Sequence, residues 1–236
     1  MPITIRAIVG RGWGQGAQHS QRLQSVFSHF PGLKVVMPAT AYDAKGLLIA
    51  SVLDDNPVIF IEHRRLYDQK GEVPEKFYTV PLGKALLKRK GKDVTIVAVS
   101  QMVQEAEKAA DELKASGIEA EVIDLRSVSP LDEDMVFSSA KKTGRVIVAD
   151  TSWRRCGIAS EVASRVCEET FEYLKAPVAR VTLPDAPTPT SIELEKHFYP
   201  DAQNIVFHAK RLISGKKEKL RRSKKHMLDE GFKGPF

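Results

Sequence analysis

Leu-Lys-Val-Val-Met-Pro at residues 33–38 and Val-Ile-Phe-Ile-Glu at residues 58–62 decide the fold of this chain. Both are short apolar runs of the length of a buried strand, and the first ends at a proline. Between them, Thr40 has the side chain to cap a helix over residues 41–53. Because strands separated by helices run parallel, this stretch predicts a parallel sheet covered by helices on both faces.

The same alternation continues in both directions along the chain. Strands are predicted at residues 3–9, 94–99, 121–125, 145–149 and 178–183, and helices at residues 101–115, 132–141, 159–174 and 202–213. A polar segment with glycine and proline, typical of a linker, lies at residues 68–80. We therefore expect an α/β protein with a short first part at 1–67 and a complete doubly wound domain at 81–214.

Composition places the chain among ordinary globular proteins, with 42% hydrophobic and 28% charged residues. No apolar run approaches the ~20 residues of a membrane span, and the first residues lack the pattern of a secretory signal. Two cysteines, Cys156 and Cys167, indicate neither a disulfide framework nor a CxxC metal site. We therefore expect a cytoplasmic protein without a membrane partner.

The basic character is concentrated in a tail at residues 215–236, which carries +5 of the formal net charge of +6. A solvated or partly helical tail explains this charge, and an acidic partner or a nucleic-acid backbone is the alternative. Nucleic acid is the weaker of these partners, because no aromatic side chains are interleaved with the charges.

A glycine-rich stretch, Gly-Gln-Gly-Ala-Gln-His-Ser-Gln, follows the first predicted strand at residues 14–21. Glycine lets a backbone approach a ligand closely, and the imidazole of His19 can give or take a proton near neutral pH. A single histidine that merely opens a helix explains the same residues. A dinucleotide site is disfavoured, because Met37 and Pro38 stand where an acidic residue would hold the ribose.

The predicted helix ends in Ser-Val-Leu-Asp-Asp-Asn at residues 51–56, which places two carboxylates and an amide just before the next strand. Free carbonyls at a helix C-terminus, with Asp and Asn oxygens, suit a hard or monovalent cation. A polar turn explains them equally and is favoured on chemistry alone. Two further segments follow strands. Residues 62–67 are placed to meet a ligand, and an exposed charged loop explains them equally well. Residues 150–157, with Trp and Arg, are typical of a contact surface.

Six collinear segments carry a resemblance: Gln-His-Ser-Gln at 18–21, His-Phe-Pro-Gly-Leu-Lys-Val-Val-Met-Pro at 29–38, Tyr-Asp-Ala-Lys-Gly-Leu-Leu at 42–48, Asp-Asn-Pro-Val at 55–58, Glu-Val-Ile-Asp-Leu-Arg at 121–126 and Ala-Pro-Val-Ala-Arg-Val at 176–181. They resemble the beta subunit of the thiamine-diphosphate-dependent decarboxylase of 2-oxo acid dehydrogenase complexes; transketolases share its fold more distantly. The resemblance implies a truncated pyrimidine-binding α/β domain followed by a complete transketolase C-terminal-type doubly wound α/β domain.

The resemblance also implies an activity: oxidative decarboxylation of a 2-oxo acid with acyl transfer to lipoyl. It implies thiamine diphosphate and magnesium, shared with an alpha subunit, and makes His19 the active-site histidine that positions substrate and handles protons. It further implies a potassium ion held by Asp54, Asn56 and the carbonyls of Ser51 and Val52. The choice among pyruvate, a branched-chain oxo acid and acetoin stays open.

The implied assembly is a heterotetramer with an alpha subunit and a second beta-like chain. In the resembled subunits, the glutamate that protonates the aminopyrimidine lies upstream of the segment that begins here, so we expect a separate chain to supply it or the isolated chain to be inactive. The +5 tail would repel the basic module of a dihydrolipoyl acyltransferase core, which argues against that docking. The alternative function is an inactive transketolase-fold interaction module that acts through its basic tail.

Overall fold

The computed structural model describes residues 1–10 and 14–215, so the expectations for the basic tail lie outside the described residues. The strands are β1 (Thr4–Val9), β2 (Lys34–Val36), β3 (Val58–His63), β4 (Leu86–Arg89), β5 (Val94–Ala98), β6 (Ala120–Asp124), β7 (Ser127–Ser129), β8 (Val146–Trp153) and β9 (Ala179–Leu183). The helices are α1 (Gly16–His19), α2 (Gln24–Ser28), α3 (Ala41–Val52), α4 (Gln101–Ala115), α5 (Glu133–Thr143), α6 (Ile158–Thr170), α7 (Ile192–Phe198) and α8 (Ala202–Ser214). Short 3-10 helices follow β3 and α6, at Arg64–Leu66 and Phe171–Tyr173.

The strands form two sheets, and the predicted α/β fold class is confirmed. The first sheet has the order β1-β3-β2-β7, in which β1 and β2 run parallel to β3. The second has the order β4-β6-β5-β8-β9 and is parallel except for β4 at its edge. Both central strands, β3 and β5, are almost continuously apolar and buried, as strands covered on both faces must be.

The outer strand of the first sheet comes from the second half of the chain. Strand β7 pairs antiparallel with β2, with Val35 opposite Ser129 and Val36 opposite Ser127. Its sequence, Ser-Val-Ser, has neither the length nor the apolar alternation that predicts a strand. The two predicted parts of the chain therefore share one sheet.

Packing joins the two sheets further. One hydrophobic cluster contains Val35 and Ile61 of the first sheet together with Val97 and Val148 of the second. A second cluster lies under α4 and α8, on the other face of the second sheet. A third packs the end of the predicted linker, at Val80, against α3 and β3.

A buried ion pair also joins the two parts. Arg126 follows β6 with a φ of +56°, and its guanidinium lies 2.6 Å from the carboxylate of Asp43 on α3. Its backbone N–H donates to Asp124 at 3.0 Å. Burial raises the pKa of Asp124 to about 7, because its side chain is fully enclosed and Asp43 adds like charge.

Helix ends follow the capping signals in the sequence. Thr40 accepts the N–H of Asp43 at 3.1 Å, which begins α3 at the predicted position. Asp201 and Asn204 form a capping box at the start of α8. Among the described residues, no helix has the length and apolarity to span a bilayer.

Candidate active site

His19 is the last residue of α1, and its side chain is exposed. The helix begins at Gly16, whose φ of +64° favours glycine, and a Cβ there would lie 2.5 Å from the Thr190 methyl group. The guanidinium of Arg64, just beyond β3, donates to the side chain of Gln15. The glycine-rich stretch is therefore held from two sides, while the imidazole faces outward.

The backbone after His19 is fixed by a buried arginine. The side chain of Arg22 is only 2% exposed, and its Nη1 donates to the carbonyls of Ser20 at 2.7 Å and Gln21 at 3.2 Å. Because both acceptors immediately follow His19, the guanidinium defines the turn at which α1 ends.

A buried carboxylate lies close to this arginine. Asp150, at 0% exposure, accepts from Gln24 Nε2 at 3.0 Å and from the hydroxyl of Ser152. Burial raises the pKa of Asp150, and the hydrogen bonds and the charge of Arg22 oppose that rise. Since both carboxylate oxygens have partners within the chain, Asp150 is a structural anchor for the start of α2.

This burial corrects part of the interpretation of residues 150–157 as a contact surface. Asp150, Thr151 and Ser152 are all buried, so the first part of the segment cannot contact a partner. Arg155 and Cys156 are exposed, and Cys156 lines a cleft of about 480 Å3 between α2 and α6. Only this second part keeps the predicted character.

Residues 62–67, at and beyond the end of β3, are divided between the surface and the interior. Glu62 accepts from Arg6 at 2.7 Å and from the Tyr67 hydroxyl at 3.1 Å. His63 is 1% exposed, and its Nδ1 accepts the N–H of Arg65 at 3.3 Å. Burial lowers the pKa of His63 well below its ordinary value, and Arg22 and Arg64 lower it further. The buried imidazole is therefore neutral and belongs to the support beneath the His19 segment.

The predicted cation residues are brought together only in part. Asp54 Oδ1 accepts both the backbone and side-chain N–H groups of Asn56 at 2.9 Å, while Oδ2 lies 2.5 Å from Lys34 Nζ. Lys34 is the main reason that the pKa of Asp54 falls to about 2. The Ser51 hydroxyl donates to Leu47 O at 2.7 Å, and Val52 is 65% exposed.

The place of this cluster limits what it can do. Asp54 and Asn56 precede β3, whereas His63 is its last residue. The predicted cation residues and His63 therefore lie at opposite ends of this strand. A cation here would contact fold-supporting residues and not the groups around His19. Within residues 1–10 and 14–215, no group of three or more His, Cys, Asp or Glu side chains could hold a metal ion.

Comparison with known families agrees with this arrangement of two joined α/β parts. The pyrimidine binding domain of transketolase matches residues 1–70, and the C-terminal domain of transketolase matches residues 83–205. The chain belongs to the transketolase family. The family uses thiamine diphosphate, and its C-terminal domain here contains Asp150 and Thr190, which lie close to the residues around His19.

The sequences similar to this transketolase-family chain include subunits of enzymes. It is 50% identical over 206 residues to the acetoin:2,6-dichlorophenolindophenol oxidoreductase subunit beta of Bacillus subtilis (strain 168), covering 87% of this chain and 60% of that protein. It is 44% identical over 213 residues to the pyruvate dehydrogenase E1 component subunit beta of the same organism, covering 90% and 65%. The chain thus spans less than two thirds of the length of these relatives.

A solved structure shows the same fold. The chain "Split gene transketolase, inactive beta4 tetramer" superposes with a TM-score of 0.71 at 27% identity, covering 93% of this chain and 67% of that one. The match extends across both domains of the transketolase-family chain described here.

Sequence reasoning singled out His19 but not the buried polar side chains near it, Arg22, Gln24 and Asp150. Charged and amide side chains are usually exposed, so nothing in their types indicated burial. One signal was present: Asp150 directly follows an apolar strand in the second half of the chain, and the His19 stretch follows one in the first. Carboxyl ends of parallel strands are where functional residues gather.

Proposed function

We propose that this chain is the beta-subunit-like part of a thiamine-diphosphate-dependent 2-oxo acid dehydrogenase. The observation that carries the proposal is His19, exposed at the end of α1 on a backbone that Arg22 fixes from inside. This segment lies in a chain whose relatives at 44–50% identity are beta subunits of acetoin and pyruvate oxidising enzymes. The reaction is oxidative decarboxylation of a 2-oxo acid with acyl transfer to lipoyl.

His19 handles protons and positions the substrate in this proposal. The cofactor, when bound, supplies the reactive carbon that attacks the oxo group. An exposed imidazole can meet a cofactor held largely by other chains, and histidine exchanges protons near neutral pH. Asp150 cannot act as the glutamate that activates the aminopyrimidine, because it is buried and both its oxygens are hydrogen-bonded within the chain.

The proposal therefore includes partner chains. An alpha subunit holds the diphosphate and magnesium, and a second beta-like chain completes a heterotetramer. Both cysteines of this chain are free, in keeping with a cytoplasmic location. Docking to a dihydrolipoyl acyltransferase core is not part of the proposal. An inactive interaction module is not favoured, because the relatives are enzyme subunits.

The proposal includes a potassium ion with a structural role. The donors are Asp54, Asn56 and the carbonyls of Ser51 and Val52, at the end of α3. Asp54 is already held by Lys34, so an ion would share the carboxylate with that ammonium. Its effect would be on the stability of the first sheet.

Co-expression with an alpha subunit and a chain that carries the glutamate segment tests the function. We expect reduction of a dye such as 2,6-dichlorophenolindophenol that depends on pyruvate, a branched-chain oxo acid or acetoin. His19→Ala should lower kcat about 100-fold, the lower end of what general acid–base groups contribute, while thiamine diphosphate stays bound. The matched control is His29→Ala, an exposed histidine outside the segment, which should stay within about twofold of the parent. Full activity of the His19→Ala complex would refute the assignment.

A further inference from the structure

We propose that Arg22 is a positioning residue for His19, and that through it the C-terminal domain sets where the imidazole lies. The inference rests on the proposed function, because it gives His19 its proton-handling role. Arg22 is not itself a catalytic residue, since its side chain is 2% exposed and lies beneath the segment that it holds.

Arg22 contacts the turn that immediately follows His19. One guanidinium nitrogen donates to two successive carbonyls, those of Ser20 and Gln21. Charge-assisted hydrogen bonds of this kind are stronger than neutral ones. A buried cation is also costly to leave without acceptors, so the chain is driven to keep both carbonyls in place. The residue that this turn orients is His19.

Arg22 also contacts the C-terminal domain. The guanidinium carbon lies 5.7 Å from the centre of the Tyr199 ring, just after α7. Burial lowers the pKa of Arg22, and Tyr199 and Asp150 act against that change. A cation over an aromatic face and near a carboxylate is held by the domain that supplies them.

A second contact between the same two segments lies ahead of His19. Both glycines ahead of His19 lie against Thr190: a Cβ at Gly14 would lie 3.1 Å from its carbonyl oxygen, and one at Gly16 would lie 2.5 Å from its methyl group. The backbone of Gly14 also acts to lower the pKa of Glu195 on α7, against the effect of burial. Residues 14–22 thus rest at both ends on residues 190–199 of the C-terminal domain. Any shift of α7 would move the exposed imidazole of His19.

A double-mutant cycle in the reconstituted complex tests the assignment. Arg22→Met keeps the length of the side chain but removes its donors. We expect it to lower kcat about tenfold in the parent, with KM within about twofold, and to change kcat less than twofold in a His19→Ala background. The matched control is Arg89→Met at a partly exposed ion pair with Asp111, which should leave kcat unchanged in both backgrounds. Equal losses in both backgrounds would mean that Arg22 acts on the whole fold, and would overturn the proposal.

A readout on the chain alone separates this inference from the function. Amide hydrogen exchange of residues 14–22 should rise at least tenfold in Arg22→Met, with the strands of the second sheet unchanged. Arg22→Lys, which keeps the charge with simpler geometry, should give an intermediate rise and serves if the Met variant does not fold. An unchanged amide exchange rate at residues 14–22 in Arg22→Met would refute the proposal that Arg22 holds the turn after His19. If the parent complex is inactive, the proposed function fails, and exchange alone decides the role of Arg22.

Discussion

Replacing Asp124 with asparagine should stabilise the protein at alkaline pH. Asp124 is fully buried at the end of β6, where burial raises its pKa to about 7. Asparagine has the same shape and keeps an oxygen to accept the N–H of Arg126. Its amide nitrogen would face the side of Asp124 where Oδ2 has no hydrogen-bond partner within residues 1–10 and 14–215.

The direction in which stability changes with pH follows from the proton bound to Asp124 in the folded and unfolded states. In the unfolded chain Asp124 loses its proton near its ordinary pKa of 3.8, whereas the folded protein holds the proton until about pH 7. The unfolded state therefore binds fewer protons between these values, and this group makes the folded state less stable as pH rises. Between pH 5 and pH 8 the loss is about 2–3 kcal/mol at 1.36 kcal/mol per pKa unit.

Urea unfolding of the full chain at pH 5 and pH 8 measures this difference. The free energy of unfolding of Asp124→Asn, minus that of the parent, should rise by about 2–3 kcal/mol between the two pH values. Asp111→Asn is the control, because Asp111 is an exposed carboxylate on α4. Its free energy of unfolding, minus that of the parent, should be nearly the same at both pH values. A pH-independent difference for Asp124→Asn would show that the buried carboxyl does not keep its proton, and the reasoning would fail.

Three further substitutions follow from contacts described above. Gly16→Ala should lower stability by about 1–3 kcal/mol in thermal unfolding, because its φ is +64° and its Cβ would meet Thr190 at 2.5 Å; Gly117→Ala, at φ +76° with open space, should lose only the backbone part. Arg126→Met should cost about 3–5 kcal/mol in urea unfolding, since it leaves the Asp43 carboxylate buried without its partner; a loss below 1 kcal/mol would contradict this. Lys34→Met should raise the pKa of Asp54 from about 2, measured by NMR titration of the carboxyl carbon; an unchanged pKa would show that Lys34 is not its main partner.

Much of the fold could be predicted because its central strands have strong patterns. The strand over residues 58–62 was bounded by a proline and a charged residue, and β3 is Val58–His63. Helix α3 begins where Thr40 caps it and ends at Val52, within one residue of the predicted end. Such elements are set by local sequence and by long apolar runs.

The remaining elements depend on contacts that a single sequence does not show. Strand β7 has one apolar residue, and only its pairing with β2 makes it a strand. Arg22 and Asp150 have side chains that are usually exposed, so their burial beneath His19 was not predicted. His19 was found through its sequence neighbours, and its chemical role stays a prediction.

The pairing of β2 with β7 has a consequence for biosynthesis. Residues 127–129 complete a sheet whose other strands end at residue 63, so about a quarter of the chain is translated between the two. Until the ribosome has passed Ser129, the outer edge of β2 has unpaired backbone groups, which other polypeptides can bind. The first part of the nascent chain therefore needs β7 from the second part to cover that edge. Cleavage in the 68–80 segment would not produce two fragments that fold independently of each other.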